Sequence, residues 1–213
     1  MRLVSFLLLP LLTVHSTWGD TQPAACCPPS VYEVKATMFQ AIQEDSRFKY
    51  QEVRASHWID SNAKLQASEL RQKLSNGTYS FLTRAVAVYN KSRSYTRVAD
   101  TCIALDLNGA GMVDPYCTNN ATYIRSLVLG YGRNTLQVNI RQNTVMLMGK
   151  DSQLTDISTA DCVPVLQGFA SYIDSGFQYS IGVYDNFQPH ISDRAVFNVP
   201  EECRNATVQR VDA

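Results

Sequence analysis

Apolar and polar residues alternate along much of this chain with the two-residue period of a β-strand that has one buried face. The clearest example is a pair of segments, 163–173 and 177–184, joined by Asp174-Ser175-Gly176. Since glycine readily adopts positive φ, this triplet is typical of a short hairpin turn. In 177–184 the odd-numbered positions form an apolar face, whereas the even-numbered positions are mixed. The pattern predicts an antiparallel hairpin.

Other strand-like runs, rich in β-branched and aromatic residues, are separated by turn signals. They cover 79–89, 96–107, 121–129, 136–141 and 144–148. The region 61–74 is ambiguous, because its alanines and leucines also fit one face of a short helix. We expect about eight to eleven strands, which predicts a mainly β fold with an antiparallel sandwich or a curved half-barrel.

The N-terminal residues have the pattern of a secretory signal peptide. Arg2 supplies a positive charge, 3–14 is a short apolar run, and Gly19 is a small residue suited to cleavage. The apolar run falls short of the roughly 20 residues that span a membrane. We therefore expect a secreted, extracellular protein without a transmembrane segment, with the lysosomal lumen as an alternative destination. The expected divisions are a signal peptide at 1–19, a Pro/Cys-rich arm at 20–30, a β domain at 31–204 and a tail at 205–213.

Six cysteines follow the predicted cleavage site, and an even number in a secreted chain favours disulfides. Metal binding by cysteine is disfavoured, because the sequence has no Cys-x-x-Cys pair. Sequence alone leaves the connectivity open. Vicinal Cys26 and Cys27 can bond each other only in a strained ring, so we expect them to have separate partners. The predicted disulfide residues are Cys26, Cys27, Cys102, Cys117, Cys162 and Cys203.

The chain also contains Asn-x-Ser/Thr sequons, which are acceptor sites for N-glycans in a secreted protein. Each is flanked by polar or turn residues, which places it at the surface. The candidate glycosylation sites are Asn76, Asn90, Asn120 and Asn205.

Charge and motif content exclude several functional classes. Lys+Arg and Asp+Glu each number 19, and the charges form no basic stripe, so nucleic acid is not an expected partner. Beyond the predicted signal peptide the histidines are His57 and His190, and the chain lacks a Gly-x-Ser-x-Gly motif. We expect His57 to pack at a sheet edge and His190 to lie in a loop. The protein is therefore not expected to be an enzyme.

Two C-terminal motifs resemble the ependymin-related protein family. The Cys-x-Pro-Val sequence at 162–165 is similar to the segment that opens the last two long strands of that family. The closing segment of the family, Asp-x-x-Val-Phe-x-x-Pro-x-x-Cys, has its match at 193–203. The matching residues are Asp193, Val196, Phe197, Pro200 and Cys203.

The resemblance implies two stacked antiparallel sheets around a deep apolar pocket, and strands rather than a helix at 61–74. It implies a disulfide from Cys26 or Cys27 to Cys162 and another from Cys102 to Cys203. Cys117 would then bond the remaining N-terminal cysteine. The family also implies a lipid-like ligand and a homodimer.

Ependymin-type proteins are associated with calcium, so the resemblance makes Ca²⁺ the candidate cofactor. Calcium prefers six to eight oxygen ligands, and the turn region that contains Asp185 and Asp193 is the candidate metal site. The alternative is that these residues only satisfy the backbone of their own turns.

Aromatic and methionine side chains on the predicted strands are candidates to line a ligand pocket. We expect non-covalent binding of a hydrophobic or lipid-like molecule. The alternative is an extracellular matrix, adhesion or signalling glycoprotein that acts through calcium and protein contacts. The candidate pocket residues are Phe81, Tyr123, Met146, Met148, Phe169, Tyr172, Phe177 and Tyr179.

Overall fold

The protein is mainly β, with its strands in one continuous sheet that curves into a half-barrel. This fold is seen in a computed structural model that describes residues 22–44, 47–147, 150–173 and 176–210. The predicted fold class is confirmed, with a single open sheet of 12 strands. The strands are β1 (Val31–Glu44), β2 (Arg47–Asp60), β3 (Leu65–Lys73), β4 (Tyr79–Val88), β5 (Arg93–Val98), β6 (Thr101–Asp106), β7 (Thr122–Tyr131), β8 (Asn134–Leu147), β9 (Lys150–Ser158), β10 (Pro164–Ile173), β11 (Gly176–Gln188) and β12 (Val208–Arg210).

The sheet consists of two meanders in which consecutive strands pair antiparallel. Strands β1 to β6 lie side by side in chain order, and so do β7 to β11. The meanders join where β1 pairs with β11, with Phe39 opposite Ile181. Strand β12 pairs with β6 in the parallel direction. The first strand therefore lies in the middle of the sheet, and β7 and β12 form its edges.

The outer, convex face is partly covered by the C-terminal segment. Side chains alternate between the two faces of each strand, and Ala67 and Val86 point outward from β3 and β4. They pack against Phe197, which lies in a 3-10 turn that begins at Arg194. Arg194 Nη2 donates a hydrogen bond of 2.7 Å to Asp60 Oδ2. An apolar contact and an ion pair together attach the segment to the sheet.

A second core cluster lies on the inner, concave face. Tyr32, Val34 and Ile59 are fully buried and pack against Tyr116. Tyr116 comes from the loop 107–121, which connects β6 to β7 and thus links the two meanders. Phe187 stacks on Tyr32, with ring centroids 5.4 Å apart. This cluster places the loop over the inner face.

The six predicted disulfide cysteines are paired in the structure. Two disulfides fix the N-terminal arm, one to the segment that precedes β10 and one to the loop 107–121. The third joins β6 to the C-terminal segment. The pairs are Cys26–Cys162, Cys27–Cys117 and Cys102–Cys203.

Most predicted strand positions correspond to strands, but 136–141 and 144–148 belong to the single strand β8, and β1, β2 and β9 were not predicted. Other differences are local. The run 96–107 is divided between β5 and β6, because Ala99 adopts a φ of 49° in the turn between them. The ambiguous region 61–74 contains strand β3 and no helix among its described residues. Residues 208–210 were assigned to a tail but form β12. The predicted signal peptide lies outside the described residues.

None of the helices formed by the described residues is long and apolar enough to cross a membrane.

Candidate functional site

The inner face of the sheet contains a cavity of about 470 Å³, which we call the main cavity. It lies at the centre of the sheet, where β1, β2, β3, β9, β10 and β11 contribute side chains. Pro115 and Tyr116 of the loop 107–121 form part of its wall. Small-molecule sites have volumes of roughly 300–1,000 Å³, so the main cavity is large enough for a ligand.

The lining of the main cavity is apolar in larger part and carries no formal charge. Ala36, Met38, Leu70, Leu154 and Phe169 are among its apolar members. None of the described residues that line it is Asp, Glu, Lys or Arg. Its polar members bear amide, hydroxyl or imidazole groups: Gln40, Gln66, Gln167, Gln178, Ser68, Ser180, Tyr116, Tyr184 and His57.

The orientation of β11 explains why these polar residues were not predicted as site residues. The mixed face of 177–184 faces the cavity, whereas its apolar face points outward. Tyr179 and Val183 on the outward face are each 42% exposed. The inward residues are Gln178, Ser180, Gly182 and Tyr184.

His57 borders the main cavity from β2, which lies between β1 and β3. The prediction that it packs at a sheet edge is wrong, because 31–44 was not recognised as the neighbouring strand. The Tyr116 ring meets the His57 ring edge-on, with centroids 6.0 Å apart. Burial lowers the pKa of His57 to about 4, because desolvation disfavours the imidazolium. The ring is therefore neutral at neutral pH.

Three glutamines form a row of hydrogen bonds across one end of the inner face, which we call the glutamine ladder. Gln72 of β3 donates from Nε2 to Gln51 Oε1 of β2 at 3.3 Å. Gln51 in turn donates from Nε2 to Gln40 Oε1 of β1. Gln40 thus ends the ladder, with its Oε1 accepting a hydrogen bond from Gln51, and it also lines the main cavity.

The loop 107–121 is attached to the rest of the protein at several points. Tyr32 donates a hydrogen bond of 2.7 Å to Asp114 Oδ1. Thr118 exchanges hydrogen bonds with the backbone of Cys26 in the arm, where its Oγ1 lies 3.1 Å from both the Cys26 N and O atoms. The Cys27–Cys117 disulfide adds a covalent bond. These attachments hold the wall of the main cavity in place.

A second cavity of about 470 Å³ lies beside the main one, and Leu154 and Pro115 line both. It is lined by the carboxyl groups of Asp114 and Asp156. Burial raises the pKa of both carboxyl groups, because their charged forms are desolvated. Gln167, which lines the main cavity, donates a hydrogen bond of 2.8 Å to Asp156 Oδ1. Asp156 therefore lies on the inner face beside the main cavity, and one hydrogen bond links it to a lining residue.

Among the described residues, the predicted pocket residues do not come together in one site. Phe169 lines the main cavity. The hydroxyl groups of Tyr123 and Ser126 are hydrogen-bonded to each other in β7. The Cζ atom of Arg97 lies 4.9 Å from the centroid of the Phe81 ring. Met146 lies in β8, and Met148 is outside the described residues.

The three remaining pocket candidates lie on the outer face. Tyr172 is 68% exposed, and its ring meets Phe177 edge-on. Tyr179 lines a shallow outer depression of about 360 Å³ together with Phe39 and Tyr50. The sequence gives the two faces of a strand but not which of them is concave, so these residues were assigned to the wrong face.

The candidate calcium residues have local roles in the structure. Asp193 accepts a hydrogen bond of 2.8 Å from the backbone N–H of Ala195 and caps a 3-10 turn. Asp185 is exposed at a β-bulge, where the register between β1 and β11 skips one residue. In the described part of the chain, no group of three His, Cys, Asp or Glu residues could hold a metal ion. A calcium site stays a prediction.

The four sequon asparagines are exposed, so each is accessible at the surface. In one of them, Asn76, the side-chain Oδ1 accepts hydrogen bonds from the backbone N–H and the hydroxyl of Thr78. Glycosylation of these sites stays a prediction. The exposed residues are Asn76, Asn90, Asn120 and Asn205.

No protein-family model matches the chain, and no curated protein matches it. Among solved structures, a DUF1329 family protein from Desulfovibrio piger matches with a TM-score of 0.35 and 8% identity, over 80% of this chain and 90% of that one. A LolA superfamily protein from Nitrosomonas europaea has a TM-score of 0.35 and 7% identity, over 82% and 92% of the two chains. A Vibrio parahaemolyticus domain described as an outer membrane lipoprotein-sorting protein has a TM-score of 0.36 and 5% identity, over 77% and 88%. Scores of this size assign neither a fold nor a function.

The assignment to the ependymin-related family is wrong. No family model and no curated protein supports it. The motif at 193–203 has a local explanation in this chain. Asp193 caps a turn, Phe197 fills the outer core and Cys203 forms a disulfide. Such a spacing can arise wherever a short segment is fastened across a sheet.

Proposed function

We propose that this protein binds a small hydrophobic or amphipathic molecule in the main cavity, without covalent chemistry. The observation that carries the proposal is the uncharged cavity of about 470 Å³ on the inner face. Burial of apolar ligand surface contributes roughly 25 cal/mol per Å². Aliphatic side chains and the Phe169 ring supply such surface, and the glutamine and serine side chains can orient a polar group of the ligand.

Binding without catalysis is part of the proposal. His57 is the histidine at the main cavity, and among the described residues no Ser, Cys or Asp side chain hydrogen-bonds to it. A nucleophile activated by a histidine requires such a bond. This supports binding rather than turnover.

The proposed setting is an oxidising compartment outside the cytosol. Three disulfides form among the described residues, and disulfides persist in extracellular and periplasmic environments. We propose a secreted glycoprotein on this basis and on the exposed sequons. The homodimer and the matrix contacts stay predictions.

The test uses the neutral fluorophore N-phenyl-1-naphthylamine and a variant that fills the main cavity. A Cβ atom added at Gly182 would lie 3.7 Å from Met38 Cγ, which is ordinary van der Waals contact. Gly182→Leu therefore adds bulk inside the cavity without a backbone clash. We expect it to weaken fluorophore binding at least about tenfold.

Gly168→Leu is the matched control, because a side chain added at Gly168 in β10 would point to the outer face. A Cβ atom there would lie 3.8 Å from Thr155 Cβ, again in ordinary contact. The control should bind the fluorophore as the wild type does. Equal binding by the wild type and Gly182→Leu would contradict the proposed site. Native mass spectrometry of the secreted protein, followed by organic extraction, would then identify any molecule that co-purifies.

A further inference from the structure

The main cavity has a charge preference that follows from its lining. None of the described lining residues carries a charge at neutral pH, since His57 is neutral there. An ion moved from water into such a cavity loses its hydration and finds no group of opposite charge among the lining residues. A neutral polar group loses less and can be satisfied by a single hydrogen bond. The lining therefore disfavours both carboxylate and ammonium ligands.

The glutamine ladder adds a preference for a hydrogen-bond acceptor. Gln72 donates to Gln51 and Gln51 donates to Gln40, so the Oε1 of Gln40 already accepts a hydrogen bond within the ladder. A primary amide has two N–H donors, and among the described residues none accepts a hydrogen bond from Gln40 Nε2. Successive amide hydrogen bonds polarise one another, which strengthens the donor at the end of the row.

The strand register places Gln40 beside other polar residues of the main cavity. Gln40 is opposite Ser180 of β11 in the strand register, and both residues line the main cavity. Gln178 lies two residues away on the same face of β11 and lines the cavity as well. An oxygen atom of a ligand at this end of the cavity would meet an N–H donor of Gln40 beside a hydroxyl group.

We propose that the ligand is electrically neutral and carries an uncharged oxygen acceptor, such as an ester, amide or hydroxyl oxygen, that Gln40 binds. This inference rests on the proposed function and specifies its ligand class. Neutral acyl esters, acyl amides and long-chain alcohols belong to the class. Ionised fatty acids and long-chain amines do not.

The experiment compares three probes that share a twelve-carbon chain and differ in the polar group. 1-Monododecanoylglycerol is neutral, dodecanoate is an anion and dodecylammonium is a cation at neutral pH. Each is titrated against the complex of the full-length secreted protein with N-phenyl-1-naphthylamine. We expect the glycerol ester to displace the fluorophore at a concentration at least about tenfold lower than either ion.

A variant separates the role of Gln40 from a general effect on the cavity. Gln40→Leu removes the donor and keeps a side chain of comparable volume. We expect it to weaken binding of the glycerol ester about tenfold more than it weakens binding of the fluorophore, which has no oxygen. Gln43→Leu is the control, because Gln43 lies on the outer face of the same strand. It should change neither affinity.

The outcomes distinguish this inference from the proposed function. If dodecanoate or dodecylammonium displaces the fluorophore as well as the ester does, the neutral ligand class is overturned while binding in the cavity stands. If Gln40→Leu weakens ester and fluorophore equally, Gln40 shapes the cavity and does not bind the oxygen. If the wild type does not bind the fluorophore, the proposed function itself fails.

Discussion

Tyr32 donates a hydrogen bond of 2.7 Å to Asp114 Oδ1, which joins the central strand of the sheet to the loop that walls the main cavity. Tyr32 is fully buried, and its burial beside Asp114 raises the pKa of its hydroxyl far above the ordinary value. The phenol therefore stays protonated and remains a donor. The loop is held by this bond as well as by the Cys27–Cys117 disulfide.

Tyr32→Phe should destabilise the protein by about 1–3 kcal/mol, since it leaves a buried carboxyl oxygen with one donor fewer. The backbone N–H of Tyr116 still donates to the same oxygen, so the loop should not detach completely. Urea denaturation measures the change in the free energy of unfolding. Tyr50→Phe, at a position that is 78% exposed, is the control and should change it by less than about 0.5 kcal/mol. Equal effects of the two substitutions would contradict the structural role of the bond.

His57 should make the protein less stable in acid. Its pKa is about 4 in the folded state, below the ordinary value of 6.5, so the unfolded state binds the proton at higher pH. The stability that this neutral imidazole contributes is therefore fully present above pH 6.5 and lost as the pH falls toward 4. The loss amounts to about 3 kcal/mol.

His57→Gln, which cannot be protonated, should remove this part of the pH dependence. The measurement is the free energy of unfolding of both proteins from pH 7.5 to 4, and the difference between them should change across the window from 6.5 to 4. His190→Gln, at an exposed position, is the control. Parallel profiles of the wild type and His57→Gln would show that the imidazole is not buried.

The Cys102–Cys203 disulfide should be a major source of stability, because it closes a loop of 101 residues between β6 and the C-terminal segment. Replacing both cysteines by alanine should cost about 2–5 kcal/mol, through the larger freedom of the unfolded chain. Chemical denaturation measures the cost. Peptide mapping under non-reducing conditions checks the pairing, and a peptide that joins Cys102 to any other cysteine would refute it.

Phe197→Ala should release the C-terminal segment from the outer face. The side chain is 7% exposed and packs on Ala67 and Val86, so its removal leaves a cavity between segment and sheet. We expect a loss of about 3–5 kcal/mol in the free energy of unfolding and faster proteolysis near residue 197. Phe39→Ala, at a site that is 52% exposed, should cost much less. A small effect of Phe197→Ala would mean that the segment is held by its polar contacts, such as Arg194–Asp60 and Ser192–Glu33, and by the disulfide.

The secondary structure was largely predictable, because strand formation depends on local alternation. The segments 79–89 and 163–173 are strands within a residue or two of the predicted bounds. The first two strands were missed, although Val31–Glu44 and Arg47–Asp60 are the longest in the sheet together with β8. Their charged and polar residues weaken the apolar pattern, and pairing on both sides stabilises them instead.

The site was much less predictable than the strands. Alternation identifies two faces of β11, but the curvature of the whole sheet decides which of them encloses a cavity. The alternation therefore predicts Phe177 and Tyr179 as pocket residues, whereas the inward residues are Gln178 and Ser180. A further signal was present, since glutamine recurs on the inward face of β1, β2, β3 and β11. These glutamines can be recognised as neighbours only when the order of the strands in the sheet is known.

The central position of β1 also has a consequence for the synthesis of the protein. One neighbour of β1, the strand β2, follows it directly in the chain, but its other neighbour, β11, is made almost last. During that interval β1 presents a bare strand edge, which can pair with the wrong chain. The Cys26–Cys162 disulfide likewise joins residues made early and late. Efficient production should therefore depend on chaperones that shield β1, and premature oxidation of Cys26 would trap the nascent chain in an unproductive form.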